Sequence, residues 1–490
     1  MSRDARAQDI KEDVKQNQFK VKFAIPEYVQ TVARILLKEG FKCYLVGGAL
    51  RDVVMNIEPD DYDLATDAHP EQMLKIFPKA VSTGIKFGTV TVIIRESQGD
   101  SHDVQVTTFR SEEKYVGGRW PSEVKFVTDL DEDLSRRDFT FNAMAFDFGS
   151  GELDGLENLR EWSVYDPFGG RNDLEKKLVR AVGDPVERFQ EDGLRAFKAC
   201  RMAAQLGFEI EPKTFKAISE TLAVAAQVSM ERIRDEFMKM LKNSEKPSIG
   251  LELMRKSGLM ELFIPELLEG LEVEQNKYHT YDVYVHLLRT LDIAPVHIRL
   301  SALLHDIAKP RKAMPNGHFY GHDIEGEKMT RIIMKRMKFS KAETERVANL
   351  VRHHMFYYPV VDDGSDNSEV EKYEAVQWTD AAVRRFVARV GEENIDDLFA
   401  LRIADASSNP AAAFKPKEIE MLQVRISEIR QQDMALKVSD LKINGNDLMR
   451  LGVEKGPKIG EVLGKLLTMV IDDPGLNTHD TLEKLVKEML

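Results

Sequence analysis

Asp61 and Asp63 stand one residue apart in the stretch DYDLAT. On a strand, residues i and i+2 leave the same face. Two carboxylates held that close repel unless a cation joins them, and Mg²⁺ favours carboxylate and phosphate oxygens. A pair of such ions can clamp the attacking and leaving oxygens of a phosphoryl transfer. An acidic turn is the plain alternative, and the residues just upstream argue against it. LVGGALRD (45–52) reads as a strand end, a glycine pair and a helix start. Gly47 and Gly48 permit close backbone approach. Amides at a helix start attract phosphate, and Arg51 adds a guanidinium fork one turn in. The expected chemistry is handling of a triphosphate, with Asp61 and Asp63 as Mg²⁺ ligands and Gly47, Gly48 and Arg51 on the phosphates.

A further pair suits the choice of a base. Asp192 and Arg195 in EDGLR are i and i+3, and on a helix they would share a face. Cytosine and adenine each present an amino donor beside a ring-nitrogen acceptor, whereas guanine and uracil carry a carbonyl where that amino group would be. Asp192 can accept from the amino group and Arg195 can donate to the ring nitrogen. Guanine or uracil would set two acceptors against each other, a costly buried mismatch. The alternative for such a pair is a surface salt bridge.

Histidines are unevenly spread. Eight of the eleven lie between residues 279 and 354. The order runs His286, His305-Asp306 in LLHDIAKP, His322 in GHDIEG and His353-His354 in VRHHMF, with Asp405 following in LRIADAS. Lone histidines are mostly structural, but an ordered set mixed with carboxylates is a metal pattern. Mixed nitrogen and oxygen donors suit Mn²⁺, Fe²⁺, Ni²⁺ or Zn²⁺ better than Mg²⁺ alone, and a metal-activated water attacking a phosphoester is the natural reaction.

Taken together, these stretches resemble the class II tRNA nucleotidyltransferases and bacterial poly(A) polymerases of the DNA polymerase β superfamily. GGALRD and DYDLAT are followed in the family's order by LSRRDFTFNAMAFD (134–147), YDPFGGRNDL (165–174) and RFQEDGLRAFKACRMAAQLGF (188–208), and the likeness covers roughly residues 25–215. The resemblance implies template-independent addition of C, C and A to tRNA 3′ ends from CTP and ATP with Mg²⁺. It implies that Arg136, Arg137 and Asp138 meet the ribose and phosphates of the incoming nucleotide. Asp192 and Arg195 would serve as a protein template, with Lys198 and Arg201 also on the nucleotide. The histidine cluster resembles the HD superfamily of metal-dependent phosphohydrolases. That implies His286, His305, Asp306, His322, His353 and Asp405 as ligands of a divalent transition metal such as Mn²⁺, Ni²⁺ or Fe²⁺. By analogy its substrate is a 2′,3′-cyclic phosphate or 3′-phosphate on damaged tRNA ends.

One position departs from the family. A third acidic residue usually stands directly before the VTTFR-like segment, and here that residue is Gln105. Asp103 lies two residues earlier on the same strand face, and would act as the third catalytic carboxylate if the strand shifts or bends. Between the head motifs, RSEEKYVGGRWPSEVKFV (110–127) reads as a mobile loop. Relatives that add all of CCA keep this loop at full length, which favours addition of the terminal A.

The elements that must position these residues are legible in outline. KCYLV (42–46), GTVTVIIR (88–95) and VQVTTF (104–109) read as strands, with HPEQMLKIF (69–77) as a helix between them. Beyond about residue 150 strand signals fade. Residues 191–208, 232–242, 283–291 and 330–339 carry helical periodicity. The expected fold is an α/β (α+β) nucleotidyltransferase head followed by all-helical neck, body, HD and tail regions. The divisions are a polar tail over 1–22, the head over 23–150, a nucleotide-selecting and RNA-binding neck and body over 151–265, the HD region over 266–410 and a tRNA-binding helical tail over 411–490. In that tail, Gly-rich turns beside Lys455 and Lys458 would offer amides to RNA phosphates.

Composition sets the outer limits. The chain has 490 residues, 43% hydrophobic and 31% charged, which is too long for one core. No apolar run approaches the roughly 20 residues needed to span a bilayer, so no membrane partner is expected. Two cysteines cannot build a disulfide framework, and a reducing cytoplasm fits. A net charge of −13 argues weakly against a nucleic-acid binder, but local clustering of Lys and Arg decides that question. The rival readings are an A-adding or CC-adding enzyme, a poly(A) polymerase, an HD phosphohydrolase whose head only binds RNA, and a non-catalytic tRNA-binding protein.

Overall fold

A computed structural model describes residues 17–84, 87–95, 100–116, 120–150, 160–275, 280–315, 317–358, 378–409, 416–431 and 437–490. The chain divides into two compact units, Met1–Pro265 and Glu266–Leu490.

The first unit is built on an eight-stranded mixed sheet. Its strands are β1 (Gln18–Phe23), β2 (Cys43–Val46), β3 (Asp63–Thr66), β4 (Ala80–Gly84), β5 (Thr89–Arg95), β6 (Ser101–Thr108), β9 (Ala145–Asp147) and β10 (Arg160–Tyr165). The order across the sheet is β1-β10-β9-β2-β3-β6-β5-β4. A separate hairpin pairs β7 (Arg110–Val116) with β8 (Trp120–Phe126). The helices that bear on function here are α1 (Glu27–Lys38), α2 (Gly47–Val54) and α3 (Leu130–Ser135), then α4 (Pro185–Glu191), α5 (Leu194–Leu206) and α6 (Met230–Asn243).

Three expectations are corrected. Residues 18–22 are not a tail: they lie in β1, paired antiparallel with β10. Strands do not stop near 150, because β10 inserts between β1 and β9. The reason is aromatic packing. Phe146 sits 5.2 Å from Phe23 and 5.6 Å from Trp162, centroid to centroid, so three strands share one apolar cluster. The segment 110–127 is not an open loop, since its two arms pair as the β7–β8 hairpin; Gly117 and Gly118 fall outside the described residues.

The centre of the sheet aligns the first motifs. β2 and β3 are antiparallel with Val46 opposite Asp63. β3 and β6 are parallel with Asp63 opposite Gln105. Val46 is the last residue of β2, so the chain turns into α2 immediately beside the Asp63 carboxylate.

The second unit is helical: α7 (Val283–Ile293), α8 (Arg299–Leu304), α9 (His322–Arg336), α10 (Lys341–His353), α11 (Asp380–Val390) and α12 (Ile395–Ser408) precede α13 (Pro457–Asp472) and α14 (His479–Met489). Ile298, Ala302, Leu350, Val387, Leu398 and Leu401 belong to one buried core. Leu448, Leu466 and Leu482 belong to another. The Arg384 guanidinium joins α11 to the end of α13 by donating to the carbonyls of Ile471 at 2.6 Å and Asp472 at 3.0 Å.

Candidate functional sites

In the head, Gly47 adopts φ +74°, where side chains are strained. A Cβ there would come within 3.3 Å of Arg137 Nη1 and 3.4 Å of Asp63 Oδ2. The glycine therefore leaves room where an arginine and a carboxylate converge. Asp61 is exposed just ahead of β3, and Asp63 is half-buried at its first position, with the buried Tyr62 between them. Burial pushes the Asp63 carboxyl up, the charge of Asp61 pushes the same way, and Arg137 opposes both. Carboxylate oxygens that repel each other are a donor set suited to Mg²⁺.

Among the described residues, no third carboxylate converges with Asp61 and Asp63. The β5–β6 pairing is regular, with Gln105 opposite Thr91 and Asp103 opposite Ile93. No shift or bend brings Asp103 to the level of Asp63. Among the described residues, the groups of three or more converging metal-type ligands all lie in the second unit, so Asp103 does not join Asp61 and Asp63.

Arg51 is buried at 8% exposure, paired with Asp52 at 2.7 Å and donating to Asn142 Oδ1 at 3.2 Å. The RRD residues are organised by a residue that the motif does not contain. Asp133, 1% exposed on α3, accepts from Arg136 at 2.7 Å and Arg137 at 3.0 Å. Burial pushes the Asp133 carboxyl up, and the two guanidinium groups more than offset it. Asp138 accepts from Asn142 Nδ2 and from the Phe139 amide, each at 2.9 Å, and faces Lys198 Nζ at 3.6 Å. Its burial is outweighed by Lys198, Asn142 and Arg195, which bring it down to about 2.

The expected shared helix face of Asp192 and Arg195 is corrected. α4 ends at Glu191, and α5 begins at Leu194. Asp192 sits in the break with extended backbone, φ −143° and ψ 106°. Next to the break, Gly193 leaves room for another segment: a Cβ there would lie 2.7 Å from the backbone of Ala225. Asp192 pairs with Arg232 of α6 at 2.8 Å. Arg195 instead donates to Glu191 at 2.6 Å, the Arg188 carbonyl at 3.0 Å and the Arg136 carbonyl at 2.7 Å. Arg201 is turned to Glu236 at 2.6 Å and Gln205 at 2.8 Å. The structure thus joins Gly47, Asp63, Arg137, Arg136, Asp138, Arg195 and Lys198 through successive contacts, and directs Arg201 elsewhere. Asp133, Asn142, Glu191 and Arg232 escaped sequence reasoning. Asp133 is within a helical turn of Arg136 and was findable, whereas Arg232 lies 40 residues from Asp192 and was not.

In the second unit the ligand-type residues form two groups that share one carboxylate. His286, His305, Asp306 and Asp405 make the first, and Asp306, His322 and His354 the second. Asp306 Oδ2 lies 3.3 Å from His286 Nε2 and 3.2 Å from His305 Nε2. Its Oδ1 lies 3.2 Å from His322 Nε2 and 3.4 Å from His354 Nε2. His354 replaces the expected His353. One residue advances a helix by about 100°, which turns His353 aside to bond the Asn349 carbonyl of its own helix at 3.0 Å, while His354 is 1% exposed and faces the centre.

These residues fit divalent cations on the structure's own terms. The Nδ1 atoms of His305, His322 and His354 meet the carbonyls of Ala302, Phe319 and Val351 at 2.8, 2.7 and 2.7 Å. A carbonyl only accepts, so each Nδ1 carries the proton and each Nε2 points inward. His322 Nε2 and His354 Nε2 face each other at 3.3 Å. Between them Asp306 Oδ1 is buried with no hydrogen-bond donor. Burial draws His305 down, but Asp306 and Asp405 outweigh it and hold it at about 10. Lys309 Nζ touches Asp306 Oδ2 at 2.5 Å and is steadied by Gln275 at 2.7 Å. Lys309 is i+3 from Asp306 and was legible in HDIAK.

The mixed sheet, the glycine corner and the paired carboxylates define a polymerase β-type nucleotidyltransferase head, carried on one chain with an HD module. Residues 43–180 match the Poly A polymerase head domain, 207–271 the probable RNA and SrmB-binding site of polymerase A, and 277–409 the HD domain. The CCA-adding enzyme of Lactobacillus helveticus is 30% identical over 463 residues, covering 94% of this chain and 96% of that one. That of Leuconostoc mesenteroides is 32% identical over 460 residues, covering 94% and 95%. The chain belongs to the CCA-adding enzyme family. A crystal structure of the Bacillus stearothermophilus CCA-adding enzyme in complex with CTP shares the fold, with a TM-score of 0.65 at 24% identity, covering 94% of this chain and 97% of that one. Among the described residues no helix is long and apolar enough to cross a membrane.

Proposed function

We propose that this protein is a tRNA nucleotidyltransferase that adds C, C and A to tRNA 3′ ends from CTP and ATP. The observation that carries the reading is the convergence of Asp63 and Arg137 on Gly47, with Asp133 joining Arg137 to Arg136 and the Arg136 carbonyl accepting from Arg195. In this reading they link the phosphate site to the base site, in a chain that aligns with two CCA-adding relatives over 94% of its length. Asp61 and Asp63 would hold Mg²⁺. That ion supplies charge neutralisation at the phosphates and a lowered barrier to deprotonating the attacking 3′-hydroxyl. Arg137, and Arg51 once it yields its contact to Asn142, bind phosphate oxygens. Asp138 would accept from the ribose. Asp192 accepts the amino group of C or A while Arg195 donates to the ring nitrogen, and a guanine or uracil carbonyl would face Asp192 with no donor between. The two cysteines, both buried and unpaired, suit a reducing cytoplasm.

The test uses purified protein, Mg²⁺, labelled CTP or ATP, and tRNA transcripts ending before CCA, after C, or after CC. Growth of all three to CCA and no further is the expected result. Growth of only the CC-ended transcript would make this an A-adding enzyme.

A second activity is favoured by the Asp306 carboxylate common to both ligand groups. The HD centre would hold two divalent transition-metal ions through His286, His305, Asp306 and Asp405 on one side and Asp306, His322 and His354 on the other. Such ions activate water toward phosphoesters, and a 2′,3′-cyclic phosphate or 3′-phosphate at an RNA end is the matching substrate. Release of phosphate from a 3′-phosphorylated tRNA, lost in Asp306→Ala, tests it.

A further inference from the structure

Four histidines face the HD centre, and three of them are backed alike. His305, His322 and His354 each turn Nδ1 to a backbone carbonyl of the preceding turn. His286 is backed by a side chain instead, with its Nδ1 3.1 Å from Ser408 Oγ. A carbonyl fixes an imidazole tautomer because it only accepts, whereas a hydroxyl can donate or accept. Which nitrogen of His286 is bare therefore depends on where the Ser408 proton goes.

That proton has a partner. Ser408 Oγ donates to the Asp405 carbonyl at 2.7 Å. Its lone pairs are left for His286 Nδ1 and for Thr290 Oγ1, which lies 3.0 Å away and also 2.9 Å from the His286 carbonyl. With the Ser408 proton so placed, His286 Nδ1 is the donor. Its Nε2 is then bare, 3.3 Å from Asp306 Oδ2 and 3.2 Å from Asp405 Oδ1. Helix spacing builds the arrangement. Asp405 and Ser408 are i and i+3 on α12, and His286 and Thr290 are i and i+4 on α7, so each ligand shares a face with a hydroxyl. One oxygen thus meets the ring of one ligand and the backbone of another 119 residues further along the chain. Arg289 of α7 holds the same corner by donating to the Ser408 carbonyl at 3.1 Å. Ser408 and Thr290 are both fully buried, so loss of the Ser408 hydroxyl would leave the His286 N–H without an acceptor.

We infer that Ser408 is a positioning residue for the HD centre, holding His286 with Nε2 toward Asp306 and Asp405 and so setting the affinity of the metal position that these residues form with His305. This rests on the reading of the centre as a two-ion site, and the experiment separates the two. Metal-free full-length protein is titrated with Mn²⁺ by equilibrium dialysis, with millimolar Mg²⁺ present to occupy the head carboxylates. Wild type is compared with Ser408→Ala, Thr290→Val and Ser407→Ala, the last removing the exposed hydroxyl next in the chain. Ser408→Ala is expected to weaken one of two Mn²⁺ positions by about 10–100-fold and to leave the other within about twofold. Thr290→Val should cause a smaller loss at the same position, because Ser408 still accepts from His286, and Ser407→Ala should cause none. Two positions of wild-type affinity in Ser408→Ala would overturn the inference. Equal weakening at both positions with a lower melting temperature would also overturn it, since that is the mark of a generally loosened fold. A wild type that binds fewer than two Mn²⁺ ions overturns the two-ion reading and the inference with it.

Discussion

Gln105 lies directly opposite Asp63 in the parallel pairing of β3 and β6, where an acidic side chain would stand beside the two carboxylates proposed to hold Mg²⁺. The amide cannot take up a proton from an attacking hydroxyl, and Asp103 is one pleat away, opposite Ile93. Gln105→Glu should therefore raise kcat for CTP addition by about tenfold. Asp103→Ala should leave kcat within about twofold. Both are read by single-turnover addition to a tRNA ending before CCA.

Asp61 and Asp63 carry the remaining negative charge of that site. Asp63→Ala and Asp61→Ala are each expected to lower CTP and ATP addition by at least about 10³-fold, with the melting temperature unchanged or raised. Removal of Asp61 also relieves the repulsion that pushes Asp63 up. Addition that survives in either variant would place the metal elsewhere.

Asp138 links the RRD segment to α5 and is held at about 2 against an ordinary 3.8. Its folded-state pKa is depressed, so its stabilising contribution is present above pH 3.8 and is lost as pH falls toward 2. The size is about 2 kcal/mol by linkage. The difference in unfolding free energy between the wild type and Asp138→Asn should be constant from pH 5 to 7 and shrink below pH 4. Chemical denaturation at several pH values measures it, and a difference that grew with acidity would contradict this account.

His353 and His354 are neighbours with different fates. His354→Ala is expected to remove one of two bound Mn²⁺ or Ni²⁺ ions per chain, and Asp306→Ala both. His353→Ala should retain full occupancy. Metal content after dialysis reads this directly, and nucleotide addition by the head serves as the check on folding. Loss of metal in His353→Ala with retention in His354→Ala would reverse the assignment.

The sequence by itself determined three strands of the head, β2, β5 and β6, and pointed to the chemistry of its motifs, because both depend on local relationships. A short apolar run ending at glycines makes β2 recognisable and a run of β-branched residues makes β5 so, and the glycine pair gains meaning from the two spaced carboxylates that follow it. The ordered histidines likewise signalled a metal centre, because ligand chemistry is a matter of residue type. Tertiary structure decided what depends on phase and on distant partners. Whether His353 or His354 faces inward turns on the rotation of one residue at the end of α10. Whether Asp192 and Arg195 share a helix face turned on the extended backbone of Asp192, next to Gly193, whose lack of a side chain lets Ala225 approach. Arg232 reaches Asp192 across 40 residues, and Trp162 brings a late strand back to Phe146 and Phe23. Periodicity within a segment carries no information about the segment packed against it, so those pairings exist only in the folded chain.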